Sequence, residues 1–251
     1  MAESPLPDED RKREFVHSMF AGIAHRYDLL NSLLSARFDR RWRRFTAKAC
    51  GLQDGMRALD ICSGTGDLAF ALSDNCPGAT VIASDFVHEM LTIGASKSRR
   101  RGRGSYAPVL GDALDLPFAD AEFDVVTVAF GIRNVANLKQ GIAEMARVTR
   151  PGGRAVILEF TEPRSPVLRR AYMLYFTRVL PKLGNAISGS GHDAYSYLPA
   201  SVLSFPAPDE LATMMRECGL VNVRYHLKTG GIVAVHIGER ASAAAADRRA
   251  A

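Results

Sequence analysis

Residues 57–72, RALDICSGTGDLAFAL, leave few folds open. The apolar run 58–62 predicts a buried parallel strand, Ser63-Gly64-Thr65-Gly66 a tight turn, and 67–72 the opening of a helix. Gly64 and Gly66 let the backbone bend sharply and let a ligand come close with no side chain in the way. The N–H groups at the helix start can then hold an anionic group, a phosphate or a carboxylate. Asp85 follows nineteen residues after Gly66, at the end of a second apolar run, 80–83. An acid about 20 residues beyond a glycine turn is placed to hold a ribose diol. The alternative for Asp85 is a helix cap before 87–91. A nucleoside cofactor is the reading these residues support.

The rest of the chain keeps the same rhythm. Strands are predicted at 80–84, at 106–110 (ending on Gly111-Asp112-Ala113), at 123–130 and at 155–160. Residues 123–130, FDVVTVAF, form a continuous apolar run of the kind buried on both faces. Helices fall from 88 into 97 and over 142–149, the latter stopped by Pro151-Gly152-Gly153, and the basic run 99–103 reads as a solvated loop. This alternation predicts an α/β, doubly wound parallel sheet. A helix at 208–218 closed by Gly219, then an antiparallel hairpin of 222–227 and 232–237 around Lys228-Thr229-Gly230-Gly231, completes it. Residues 163–205 interrupt the pattern with an aromatic-rich insertion, and insertions of that length are usually functional. Upstream, 15–50 has helical spacing and reads as a lid, whereas 1–14 and 241–251 are expected to be disordered. One domain over 15–240 suits a chain of 251 residues.

Composition removes several classes. A 47% hydrophobic and 24% charged content is that of an ordinary soluble protein. No apolar run reaches the roughly 18–20 residues of a membrane span, and the charged N-terminus predicts no secretory signal. Cys50, Cys62, Cys76 and Cys218 are too scattered for a structural zinc and suggest reduced thiols in the cytoplasm. The net charge of +5 is mild, and no aromatic-basic module of a nucleic-acid binder is present. The one conspicuous basic stretch is 37–45, with Phe38, Trp42 and Phe45 among five arginines. It reads as an amphipathic helix with its arginines in water, and it could also touch acidic headgroups at a membrane surface.

The cofactor class needs more than the turn. Written Gly64-x-Gly66-x-x-Ala69, the turn also fits a dinucleotide fingerprint and keeps an NAD-dependent oxidoreductase open. Asp112, a turn residue at its plainest, ends the third strand where a carboxylate can reach an adenine amino group. With the terminal hairpin, the arrangement resembles the class I S-adenosylmethionine-dependent methyltransferase fold, a seven-stranded Rossmann-like sheet with an antiparallel last strand.

Beyond the fold, the chain resembles the quinone C-methyltransferases of menaquinone and ubiquinone biosynthesis from about residue 15 to 240. The motifs that carry the resemblance are FAGIAHRYDLLNSLLS, DICSGTGDLA, FGIRNV, RVTRPGGRAVILEF, DAYSYLPASVLSFP and GGIVAVHIG. The resemblance implies methyl transfer from S-adenosylmethionine to a ring carbon of a prenylated hydroquinone, and the first and fifth motifs look closer to the menaquinone branch. It also implies that Gly64, Thr65 and Gly66 hold the cofactor, with Asp85 on the ribose and Asp112 with Ala113 beside the adenine. Tyr27, Arg133 and Asn134 match positions that line the reacting centre. The chain departs at Ala129, where many members carry serine, so a hydroxyl contact there is lost. The partners implied are the prenylated quinol and a membrane surface touched peripherally, at the inner face of the cytoplasmic membrane, but no nucleic acid; a homodimer is left open.

The chemistry asks for alignment of two reactants and removal of a ring-hydroxyl proton. An arginine is a fixed cation, so Arg133 reads as a stabiliser of the phenolate or as the group that orients a proton-accepting water. Asn134 could hydrogen-bond a ring oxygen or cap a helix, and Tyr27 could cover the cofactor or fill the core. His192 and Asp193 form a second base candidate. Apolar residues over 167–183 could wall a channel for the prenyl tail or form a core helix. Two rivals are a methyltransferase acting on another acceptor and a non-catalytic scaffold of a quinone-synthesis complex.

Overall fold

The computed structural model describes residues 7, 9–102, 106–179 and 194–242. Seven strands form one sheet in the order β3-β2-β1-β4-β5-β7-β6. Strands β1 (Arg57–Ile61), β2 (Thr80–Asp85), β3 (Ala107–Leu110), β4 (Phe123–Ala129) and β5 (Thr149–Phe160) run parallel. Strand β7 (Val233–Arg240) lies antiparallel between β5 and β6 (Leu220–Lys228). The doubly wound sheet with an inverted last strand is therefore the observed architecture.

Period-2 alternation builds two cores. Ala58, Val125, Val156 and Leu158 point to one face, where helices α2 (Phe38–Cys50) and α3 (Asp67–Asn75) supply Trp42, Ala47, Leu68 and Leu72. Leu59, Ile61, Val126, Val128, Ala155 and Ile157 point to the other. That face is covered by Ile142 and Met145 of α5 (Leu138–Val148) and by Leu211 and Met215 of the last helix, Pro208–Glu217. A third cluster joins α1 (Glu9–Leu34) to the insertion through Val16, Met19, Tyr172, Tyr197 and Val202. The insertion supplies α6 (Pro166–Leu174), a π turn at Tyr175–Val179 and helix α7 (Ala194–Leu203), so the last helix is α8. Residues 180–193, with the base candidates His192 and Asp193, lie outside the described residues.

Three boundaries differ from the sequence reading. Helix α1 begins at Glu9, inside the segment 1–14 expected to be disordered. Phe15, Val16 and Met19 anchor it in the third cluster. Helix α4 (His88–Arg101) takes in most of the basic run read as a loop, and three arginines in its last turn complement the negative end of the dipole. Strand β5 starts at Thr149, ahead of the glycine pair expected to precede it. Between the pairs Phe123–Thr149 and Val125–Arg154 the register shifts, and Pro151 sits in the bulge, where a missing N–H is tolerated.

Candidate active site

Parallel strands present their C-terminal ends on one edge of the sheet, and the order places β1 beside both β2 and β4, the point where the winding reverses. A cleft opens there. It takes in about 640 Å³ of space between atoms, its open mouth included. Its lining comes from the ends of four strands: Cys62 and Gly64 after β1, Asp85 and Phe86 after β2, Asp112 to Leu114 after β3, and Phe130, Gly131 and Asn134 after β4. Helix α1 closes the top with Arg13, Val16, Phe20 and Tyr27. A smaller cavity adjoins it, sharing Tyr27 and Cys62 and lined further by Arg43, Asp60, Ser63, Thr65, Asp67 and Ala129.

The two glycines of the turn serve different ends. Gly64, at φ 54°, lines the cleft, and a Cβ there would meet only Tyr27 Cε1, at 3.6 Å. Gly66, at φ 84°, faces Tyr106, whose Cε2 would lie 2.6 Å from an added Cβ. Tyr27 therefore stands over Gly64 while Gly66 secures packing behind the turn. The carboxylate of Asp85 ties the turn to β2: Gly64 N–H donates to Oδ2 at 2.7 Å and Val87 N–H to Oδ1 at 2.9 Å. Asp85 is thus a wall of the cleft and not the helix cap that sequence allows: the N-cap of the following helix is Val87, with no side-chain cap bond, and Asp85 closes an Asx-type turn onto it. Burial raises its pKa to about 6, against the pull of backbone N–H groups of Val87, Gly64 and Phe86.

Asp112 Oδ1 accepts from Leu114 N–H at 3.0 Å, an Asx-type turn, while Oδ2 takes an ion pair from Arg13 Nε at 2.9 Å. Ala113 lines the same corner. Thr65 lies on the smaller cavity, and its Oγ1 donates to Asp28 of α1 at 2.5 Å. Lys97 gathers Asp28 (2.8 Å), Asp67 (2.5 Å) and the Thr65 hydroxyl (3.0 Å), so three helices, α1, α3 and α4, meet beside the turn. Burial would raise the pKa of Asp67, but Arg43 and Lys97 outweigh it and hold the group below its usual value. Arg43 is buried, paired with Asp39 and set over the Phe130 ring, unlike the water-facing arginines expected of α2.

Beneath the cleft, Arg133 and Asn134 form a 3₁₀ turn with Ile132. Asn134 lines the cleft and is buried, with its Oδ1 lacking a hydrogen-bond partner among the described residues. Arg133 turns away to β5: its Nη1 donates to Glu159 Oε1 at 2.9 Å, to Oε2 at 3.2 Å and to Phe130 O at 2.5 Å. Both side chains of this pair are buried, and Arg133 Nε is left without an acceptor among the described residues. Burial raises the pKa of Glu159 and the charge of Arg133 opposes it. The hydroxyl of Tyr197, a fully buried residue near this pair, likewise lacks a partner.

Two of these residues escaped the sequence reading. Asp60 lies in buried β1, with Thr127 Oγ1 donating to Oδ1 at 2.8 Å and Oδ2 without a hydrogen-bond partner among the described residues. Burial pushes its pKa up to about 7. Glu159 lies in buried β5 in the same way. An acid inside an apolar strand was the available signal for both, since such a group is rarely buried without a partner or a task.

A profile of the ubiE/COQ5 methyltransferase family matches residues 8–240. A demethylmenaquinone methyltransferase of Deinococcus radiodurans is 46% identical over 236 residues, covering 94% of this chain and 97% of its own. One of Thermus thermophilus is 48% identical over 222 residues, 88% of this chain and all of its own. In fold, a SAM-dependent methyltransferase of Thermotoga maritima superposes with a TM-score of 0.62 at 20% identity, covering 89% of this chain and 98% of that one. With a match that spans the lid, the turn, the insertion and the hairpin, the chain belongs to the ubiE/COQ5 methyltransferase family.

Proposed function

We propose that this methyltransferase binds S-adenosylmethionine across the two adjoining cavities and methylates a ring carbon of a prenylated hydroquinone, demethylmenaquinol in preference to a benzoquinol. The names of the two relatives support the substrate, and the donor set supports the cofactor. One end of the paired cavities offers Asp85 and Asp112 to a diol and a purine amino group. The other offers Asp60 Oδ2 and Ser63 Oγ, both buried with no hydrogen-bond partner, to the polar groups of an amino-acid tail. Unsatisfied polar atoms are costly inside a protein, and a ligand that engages them recovers that cost. The chain's residues fit the group. Ala129 lines the second cavity without a hydroxyl, so contacts there fall to its neighbours, Ser63 among them.

When bound, S-adenosylmethionine supplies an electrophilic methyl group on a sulfonium. The protein's part is to hold the quinol carbon in line, exclude water and favour the ionised ring hydroxyl. Tyr27 and α1 cover the cleft and exclude water. Asn134 offers the ring a polar contact. Arg133 lines neither cavity and is fixed by Glu159 and Phe130 O, so its part is to set a buried cation, with an Nε–H that has no acceptor among the described residues, behind Asn134 where a phenolate or a bound water would be favoured. Held in a dry site, such a donor counts for far more than in water.

The observation that carries the reading is the pairing of a four-strand cleft with a second, acid-lined cavity across the glycine turn. The decisive experiment is mass spectrometry of the quinones from cells lacking the gene. A naphthoquinone pool one methyl lighter, restored by the gene, is the expected result. A lighter benzoquinone pool would move the substrate to the ubiquinone branch, and an unchanged pool would overturn quinol methylation in favour of another acceptor or the scaffold reading.

A further inference from the structure

The outward face of α6 has no part in the site above. Val167 and Leu174 are 82% and 52% exposed, and Ala171, at helical spacing between them, is exposed as well. Arg170 and Arg178 are exposed beside this strip, and neither makes an ion pair with a described residue. From Pro163 to His192 the sequence has five lysines and arginines and no acid. That single stretch accounts for as much positive charge as the +5 of the whole chain. The inner face differs in character. Tyr172 is buried and Met173 half-buried against Val16, Met19, Tyr197 and Phe160, and the Phe160 ring lies 5.6 Å from the Arg133 guanidinium.

Helix α2, the basic stretch that sequence puts forward for lipid contact, exposes a single apolar side chain of its aromatic trio, Phe38, which stacks on Trp42 and carries Arg41 over its ring. Trp42 is buried, with its Nε1 donating to Thr229 Oγ1 at 2.8 Å. Phe45 packs on His226 under the Lys228 ammonium. One partly exposed ring among several arginines can be drawn to a bilayer but gives it less apolar area to seat than the strip on α6.

We infer that α6 is the membrane-docking element, with Val167, Ala171 and Leu174 entering the acyl boundary of an anionic bilayer and Arg170 and Arg178 meeting its phosphates. The inference rests on the lipid-borne quinol proposed above. The occupant follows from charge: an apolar strip edged by unpaired cations complements anionic headgroups over hydrocarbon. A two-fold contact with a second copy would instead bring the same cations together. A helix seated in this way turns its aromatic inner face to the reaction side, so a quinol leaving the bilayer passes directly from lipid to protein.

The test is co-sedimentation of the full chain with vesicles of phosphatidylcholine alone or mixed with phosphatidylglycerol, each variant being checked first for an unchanged thermal melt. Wild type is expected on the anionic vesicles only. R170Q/R178Q should bind about 30-fold more weakly, from roughly fivefold per cation removed, and V167E/L174E should stay in the supernatant. R40Q/R44Q on α2 should bind as wild type. Wild-type binding by both α6 variants, or a greater loss in R40Q/R44Q, overturns the inference. So does a change in the sedimentation coefficient of V167E/L174E without vesicles, which would make the face a subunit contact. Docking is read here without substrate, and a short-chain quinol assayed in vesicle-free buffer reads the chemistry alone, so failure of either is distinguishable from failure of the other.

Discussion

Gly64 and Gly66 look interchangeable in a motif and are not interchangeable in the structure. Gly66→Ala sets a side chain at φ 84° against Tyr106, so strain and overpacking together should cost roughly 2–4 kcal/mol, read as a lowered melting temperature. Gly64→Ala meets nothing closer than 3.6 Å, and its φ of 54° should cost only about 1–2 kcal/mol. Its larger effect should appear in calorimetry as weakened S-adenosylmethionine binding, because the new methyl group occupies the cleft. Equal loss of affinity in both variants would count against Gly64 as the ligand-facing glycine. The Arg133–Glu159 pair gives a second contrast. Arg133→Ala leaves a buried carboxylate uncompensated and should destabilise by about 3–5 kcal/mol. The double variant R133A/E159A should recover much of that stability in a denaturant titration while turnover stays low. Recovery of turnover along with stability would reduce Arg133 to a structural role. Arg133 could be read from its motif. Its partner was marked only as an acid inside an apolar strand, and nothing local says which cation will neutralise it, because that cation sits on a turn after the neighbouring strand.

At the scale of elements, the strands and the glycine turn were legible because period-2 burial and the turn's backbone needs are local properties. What sequence left out arises from contacts between distant segments. Helix α1 starts early because its first turns find a surface, with Arg13 reaching Asp112 at one end and Asp28 reaching Thr65 and Lys97 at the other. The long β5 exists because β4 offers it a partner across a bulge. Both ends of α1 are latched by ion pairs that are partly exposed, so each should be worth no more than about 1 kcal/mol. Asp28→Ala should therefore leave global stability almost unchanged. It should speed amide hydrogen exchange in α1 and shorten cofactor residence, measured by hydrogen-exchange mass spectrometry and stopped-flow release. Unaltered exchange over residues 9–34 would mean that apolar packing alone holds the lid.

The molecule as a whole sets its fold against its ligand through two buried carboxyls. In the unfolded chain Asp60 and Asp85 release their protons near pH 4, whereas the native state holds them until about 7 and about 6. Between those limits the native state binds more protons than the unfolded one, so stability from these groups is complete below pH 4 and is lost as pH rises towards 7. His236, held down to about 4 by burial, opposes this over the same range, but it is one group against two. The free protein should accordingly melt at a higher temperature near pH 5 than near pH 7.5, and Asp60→Asn should flatten the slope. Cofactor binding should run the other way, because ribose hydroxyls donate best to an ionised Asp85 and a cationic amino-acid tail favours an ionised Asp60. S-adenosylmethionine should thus raise the melting temperature more at pH 7.5 than at pH 5. Calorimetry at pH 6 in buffers of different ionisation enthalpy should register protons released on binding. Proton-neutral binding, with a melting shift independent of pH, would place the cofactor's ribose and tail away from both acids and dismantle the site as assigned.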